Sequence, residues 1–311
     1  MKFLVIGEPC IDMIYKADGE AKKSYGGILY SIISLAVISR KEDVVLPVIN
    51  IGEDEFDNIK DVLLKYPNID TSGLYKMPHS TRKVNLYFNY YNSGKRAKFE
   101  QVYEPTYTIK YEQIEKFLPG ADSILINNIT GYDISLDDLK KIRENFKGYI
   151  HMDIHNLVMK TNPDGTREHT TLPNWREWCS NTDTIQLNEF EVQSMSREKK
   201  NEYEVIEEIL LSQTSDVKAV VVTKGKIGAS GYTKKVKQYG SEVFTDLDKI
   251  EVGSIENPRY KDSTGCGDVF AAALTYDYTK NKDIKKSLHF ANRLASYKTS
   301  LEGIDELYKL K

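Results

Sequence analysis

Cysteine is scarce in this chain. Cys10, Cys179 and Cys266 are its only three among 311 residues, widely spaced and odd in number. That excludes a disulfide scaffold and fits a reduced, cytoplasmic setting. Long apolar runs are missing as well, since no stretch approaches the roughly 20 residues that cross a bilayer. The opening MKFLVIGEPCIDMIYK carries Glu8, Pro9 and Asp12 inside its short apolar run, which a signal-peptide core does not tolerate. No membrane partner is expected. There is no basic block either: 43 Lys and Arg are spread along the chain against 46 Asp and Glu, for a net charge of −3. A nucleic-acid partner is therefore not expected. With no internal repeat and no low-complexity linker, residues 1–311 read as a single domain, at the upper edge of the usual size.

What is present is alternation. Residues 2–6 form a compact apolar strand ending in Gly7, and Gly26-Gly27 opens an apolar helix over 28–38. A strand over 44–51 precedes an amphipathic helix over 54–64, with Phe56, Ile59, Val62 and Leu63 at helical spacing. Further short strands fall at 123–126, 149–154, 184–187 and 219–222, with helices at 135–145, 189–195 and 202–213 between them. Such alternation predicts an α/β fold with a mainly parallel sheet covered on both faces.

One segment departs from it. Residues 84–91 and 95–102 flank the turn-forming triplet Asn92-Ser93-Gly94, and Val84, Leu86, Phe88 and Tyr90 alternate with Asn85, Tyr87, Asn89 and Tyr91. That is a hairpin with a drier and a wetter face, and a candidate lid on the α/β core.

The chemistry points to Asp262-Ser263-Thr264-Gly265-Cys266-Gly267-Asp268, followed by the helix former Val269 to Tyr276. Glycines before a helix let a ligand approach, and the amides of Gly265, Cys266 and Gly267 are expected to point out of the helix N-terminus. Unpaired N–H groups and the helix dipole make such a terminus an anion site. Asp268, in the first turn, is placed to take a proton from an attacking hydroxyl while the amides stabilise a transferred phosphoryl group. An acidic residue in a first turn also has a plain dipole reason to be there. No G-x-x-x-x-G-K-[ST] occurs, which excludes a P-loop. Gly265-x-Gly267-x-x-Phe270 puts Phe where a dinucleotide fingerprint needs a small residue, and too little chain follows for that fold.

Asp262 to Leu274 (DSTGCGDVFAAAL) resembles the C-terminal signature of the ribokinase-like, pfkB-type carbohydrate kinases. Other landmarks follow in that family's order. VIGEPCIDMI with Asp12, the pair Gly26-Gly27, VINIGEDEF at 48–56, Asn188-Glu189-Phe190-Glu191 as N-x-x-E, and VVVTKGKIGA at 220–229 are each similar to a family motif, over about residues 2–303. The resemblance implies a three-layer α/β/α core with a small β lid, its strands at about 11–25 and 82–104. It implies an ATP-dependent, magnesium-assisted carbohydrate kinase with an alcohol group as acceptor. Asp268 is then the base, and Gly265, Cys266 and Gly267 form the anion hole. Asn188 and Glu191 organise magnesium and its waters, while Thr223, Gly225, Gly228 and Asn292 border the nucleotide. Asp12, Gly26 and Gly27 hold a sugar-like acceptor, and Asp262 with Thr264 matches a monovalent cation site, for potassium. A homodimer through the lid is left open.

Asn188 and Glu191 also read as an N-cap pair. Where the family commonly has a sugar-contacting Asn, this chain has Ser31, after the bulky Ile28-Leu29-Tyr30, so simple ribose specificity is not implied. Tyr87, Tyr90 and Tyr91 read as packing rather than as ring-stacking platforms. His151, Asp153 and His155 stand at i, i+2 and i+4 of a strand, a metal-like spacing, although Asp153 fits a pocket edge without metal. Cys266, at a helix start, is expected to have a lowered thiol pKa. The acceptor is read as a sugar hydroxymethyl group, with a nucleoside or vitamin-like ring, or a non-catalytic metabolite-binding regulator, as the alternatives.

Overall fold

The structure, a computed structural model, describes residues 1–15, 21–90, 96–102, 107–196, 198, 200–212, 216–239 and 242–310. Asn92, Ser93, Gly94 and Tyr91 of the expected hairpin turn lie outside these residues, as does the Tyr90 side chain.

The strands, in chain order, are β1 (Lys2–Ile6), β2 (Pro9–Tyr15), β3 (Ala21–Gly27), β4 (Val44–Gly52), β5 (Leu74–Met77), β6 (Lys83–Tyr90), β7 (Arg96–Val102), β8 (Ser123–Asn127), β9 (Tyr149–Asp153), β10 (Met159–Thr161), β11 (Arg167–His169), β12 (Thr184–Asn188), β13 (Ala219–Thr223), β14 (Gly228–Tyr239) and β15 (Glu242–Gly253). The helices are α1 (Leu29–Ile38), α2 (Phe56–Leu64), α3 (Tyr111–Ile114), α4 (Leu136–Asn145), α5 (Trp175–Ser180), α6 (Glu189–Ser194), α7 (Glu202–Leu211), α8 (Cys266–Asn281) and α9 (Ile284–Lys298).

Among the described residues nine strands build one sheet in the order β15-β14-β13-β12-β9-β8-β1-β4-β5. Pairing is parallel from β5 to β13 and antiparallel through β14 and β15. The apolar runs explain the middle of it: a strand covered on both faces needs no polar alternation. Within β1, Phe3 and Val5 pack with α1, α2, α8 and α9, whereas Leu4 and Ile6 pack with α4, α5, α6 and α7. Two cores thus lie on opposite faces of one sheet, a three-layer α/β/α arrangement. Helix α8 is buried along most of its length from Asp268 to Tyr276, and Ala271, Ala272 and Ala273 leave room for α1 and α9 beside it.

A second sheet, in the order β3-β2-β6-β7, stands apart from the first. The expected hairpin β6–β7 is present, and β2 joins it in parallel with Ile11 opposite Lys83. Tyr87 stacks on Tyr15 with ring centres 4.7 Å apart, so it packs within this sheet. Asp54 ties the sheet to the core: its Oδ1 accepts from the Thr81 N–H at 2.7 Å and from the Thr81 hydroxyl at 2.9 Å, just before β6.

Candidate active site

The C-terminal ends of parallel strands are where open α/β sheets bind ligands. Here Asn127 of β8, Asp153 of β9 and Gln186 of β12 stand side by side in register, on the face that α8 covers. Asn127 and Gln186 reach the start of α8, and Asp153 is joined to it through Gln186. Asn127 Nδ2 donates to Asp268 Oδ1 at 2.7 Å, and Gln186 Nε2 donates both to Asp153 Oδ2 at 2.9 Å and to the Gly267 carbonyl at 3.1 Å. Asp268 is therefore held by one oxygen, and Oδ2 meets no protein donor among the described residues.

Gly265, the residue before α8, has φ 79°, and a Cβ there would lie 2.3 Å from the Tyr30 ring. Both facts require glycine. The Cys266 N–H is engaged by the Ser263 carbonyl at 3.1 Å, whereas the amides of Gly265, Gly267 and Asp268 meet no acceptor among the described residues. The expected trio of anion-hole donors thus shifts: Gly265 and Gly267 keep open amides, Asp268 adds its own, and Cys266 has a competing partner. The Cys266 thiol also departs from expectation, because burial pushes it up to about 12 rather than down.

Asp12 faces the same centre from β2. It is 5% exposed, and a Cβ on Gly26 would lie 2.2 Å from its Oδ2, so Gly26 makes room for that carboxylate. Tyr30 marks the junction. Burial raises its phenol well above the usual value, and Asp12, Asp262 and Asp268 all add to the rise, so carboxylates of both sheets' neighbourhoods act on one ring. Ser31 does not line an open pocket. It is fully buried, donates to the Asp268 carbonyl at 3.2 Å and receives Asn127 Nδ2 at 3.3 Å.

Asn188 and Glu191 form the capping pair that opens α6. Asn188 Oδ1 accepts the N–H groups of Phe190 and Glu191, while Glu191 Oε2 accepts the Asn188 N–H at 2.7 Å. Burial pushes Glu191 up to about 8. Asp153 is also raised, by burial first and then by Glu191 and Asp268, so these three carboxylates share one field. Among the described residues no group of three or more His, Cys, Asp or Glu could ligate a metal directly. The His151, Asp153 and His155 spacing dissolves on inspection. His155 has left the strand at φ 41°, and His151 is fully buried against Thr184, its pKa lowered to about 3 by burial. Thr223 ends β13, and Gly225 follows it in an open turn with φ 49°. Gly228 lets β14 cross the Val252 carbonyl, where a Cβ would lie 2.0 Å away. The Asn292 amide is tied to the Gly253 carbonyl at 2.9 Å.

Four buried polar residues of this region were not singled out as site candidates from the sequence. Asn127 and Gln186 end or interrupt apolar strands with an amide, a signal that marks the residue but not its partner. Glu8, read only as a charge, is 2% exposed, and burial raises its carboxyl well above the usual value. Lys298, at the end of an amphipathic helix, is fully buried.

This sheet, its flanking helices and the small second sheet define the fold of ribokinase-like kinases. Solved structures of that kind superpose along nearly the whole chain. A sulfate complex of a pyrophosphate-dependent kinase in the ribokinase family is 14% identical with a TM-score of 0.75, covering 100% of both chains. Ribokinase from Thermotoga maritima is 19% identical with a TM-score of 0.71, covering 98% of this chain and 95% of that one. The Methanocaldococcus jannaschii nucleoside kinase is 18% identical with a TM-score of 0.67, covering 99% and 98%. Among curated proteins no match was found. The family model described as pfkB family carbohydrate kinase matches residues 50–307, and the chain belongs to that family. Asp12, Gly26 and Gly27 lie before the matched stretch. Among the described residues no helix is long and apolar enough to cross a membrane.

Proposed function

We propose that the protein is an ATP-dependent kinase that phosphorylates a hydroxymethyl group of a sugar or sugar-like molecule, with Asp268 as the base. One observation carries this reading. The Asp268 carboxylate is buried in the first turn of α8, fixed at Oδ1 by Asn127, beside amides that meet no acceptor among the described residues.

In the reaction the acceptor oxygen attacks the γ-phosphorus of ATP in line, its proton passes to Asp268, and the bond to ADP breaks. The open amides and the positive end of α8 stabilise the phosphoryl oxygens. Bound magnesium supplies charge neutralisation on the phosphates. Asp153 and Glu191, two buried carboxylates with raised pKa values, suit acceptors for its waters, and Asn188 holds Glu191 in place. Thr223, Gly225, Gly228 and Asn292 border the nucleotide; Asn292 acts by fixing the loop after β15. Asp12, made room for by Gly26, and Glu8, above the end of β1, suit hydrogen-bond acceptors for substrate hydroxyls. Gly27 and Ser31 act behind them, Gly27 at the start of α1 and Ser31 on the Asp268 backbone. The β3-β2-β6-β7 sheet serves as the lid that excludes water.

The test is ADP formation across a panel of sugars, polyols, sugar acids and nucleosides with magnesium–ATP. Turnover with a sugar or polyol is the expected result. Response to nucleosides alone rejects the sugar acceptor, and no turnover with any acceptor from either ATP or pyrophosphate rejects the kinase. Some structural relatives are pyrophosphate-dependent, so the panel is repeated with pyrophosphate; turnover with pyrophosphate alone rejects ATP as donor.

A further inference from the structure

A fully buried ammonium lies behind the anion site. Lys298, the last residue of α9, has 0% exposure. Its Nζ is 3.4 Å from Asp262 Oδ2, 3.4 Å from the Asp262 carbonyl oxygen and 5.4 Å from the centre of the Tyr30 ring. A buried ammonium is tolerated only when paired, and carboxylate, carbonyl and aromatic face together supply that pairing. It also stands at the C-terminal end of a helix, where the dipole favours a cation.

The same contacts organise the loop. Asp262 Oδ1 accepts the Thr264 N–H at 2.9 Å, and the Thr299 carbonyl, next to Lys298, accepts the N–H groups of Lys261 and Asp262 at 2.7 and 3.1 Å. Residues 262–265 are thus pinned between Lys298 below and Tyr30 beside Gly265. The charge reaches into the site as well: Lys298 lowers the Cys266 thiol against the larger effect of burial. A free potassium ion at Asp262 and Thr264, as the resemblance implies, does not fit these residues. The Asp262 oxygens are already held, Oδ2 and the carbonyl by Lys298 and Oδ1 by the Thr264 amide, and the buried ammonium repels a second cation beside them.

We propose that Lys298 is the resident cation of the phosphoryl-transfer site, an ammonium carried by the chain in place of a free monovalent ion. It is a positioning residue: through Asp262 it keeps the 262–265 loop in the form that presents the Gly265 and Gly267 amides. The inference rests on the kinase reading for its role in turnover, but its cation prediction can be read without turnover. Two quantities are measured on the full chain in potassium chloride and in tetramethylammonium chloride at equal ionic strength: the thermal unfolding midpoint, and magnesium–ATP affinity by calorimetry. The wild type is expected to give the same midpoint and affinity in both salts. In Lys298→Ala the midpoint should fall, ATP should weaken by about tenfold, the order of one charge acting through a protein interior, and potassium should restore part of both. Lys298→Arg should keep the wild-type indifference to potassium. A wild type stabilised or tightened specifically by potassium overturns the proposal. So does a Lys298→Ala protein that matches the wild type in both salts. If Lys298→Ala does not fold, the wild-type and Lys298→Arg measurements still decide. Absence of ATP binding in either salt rejects the kinase reading instead, leaving the midpoints to judge the cation.

Discussion

At the scale of single residues, burial sets the acid–base character of the site more than charge pairing does. Glu191 illustrates it: burial raises its pKa from 4.5 to about 8 even though two donors of Asn188 face it. A raised folded pKa means that the native state binds the proton more tightly than the unfolded chain. Its stabilising contribution is full below about 4.5 and is lost as pH rises through about 8. His151 acts at the other end, with a folded pKa of about 3 against 6.5, so its contribution falls away as pH drops below about 6.5. Glu191→Gln is therefore expected to flatten the decline of stability between about pH 5 and 8 relative to the wild type, whatever its absolute stability. Urea denaturation at several pH values reads this directly, and parallel wild-type and variant profiles contradict it. Asp268, the glycines before α8 and the Asn188–Glu191 pair could be placed from the sequence because each has a fixed spacing around a helix start. Asn127, Gln186 and Lys298 were harder to see. Their partners are 141, 81 and 36 residues away in the chain, and no local pattern reports a contact of that range.

At the scale of elements, the site depends on where α8 begins. Its start is set by Gly265 in the left-handed region, pressed against Tyr30, with no side-chain cap. Gly265→Ala adds strain of about 1–3 kcal/mol from the backbone alone, and the 2.3 Å clash with the Tyr30 ring adds to it. Chemical denaturation should show a loss in that range or above, and a loss below about 0.5 kcal/mol contradicts the account, being no more than an ordinary surface substitution. Helices with side-chain caps were placed closely from sequence, as with Ser135 before α4 and Asn201 before α7. The long pair β14–β15 was not expected. Its strands carry many Lys, Asp and Glu residues, so they lack the apolar runs that marked β1, β8 and β13.

At the scale of the whole molecule, the fold joins two parts with separate tasks. The three-layer core brings the ends of β8, β9 and β12 under α8, and the β3-β2-β6-β7 sheet brings Asp12 toward the same point. Alternation of strand and helix made the core legible. The second sheet was legible only through its hairpin and the family resemblance, because β2 and β6 are separated by the whole β3 to β5 segment before they pair. The acceptor remains the least written part of the sequence for the same reason: its surroundings are assembled from both parts. The central claim is that Asp268 is the base on which this assembly converges. The most direct test is Asp268→Asn, assayed for ATP binding and for phosphorylation of whichever acceptor the panel identifies. The account predicts near-native ATP affinity with turnover lowered by about a hundredfold to ten-thousandfold, the contribution of a positioned base. Turnover close to that of the wild type would contradict it.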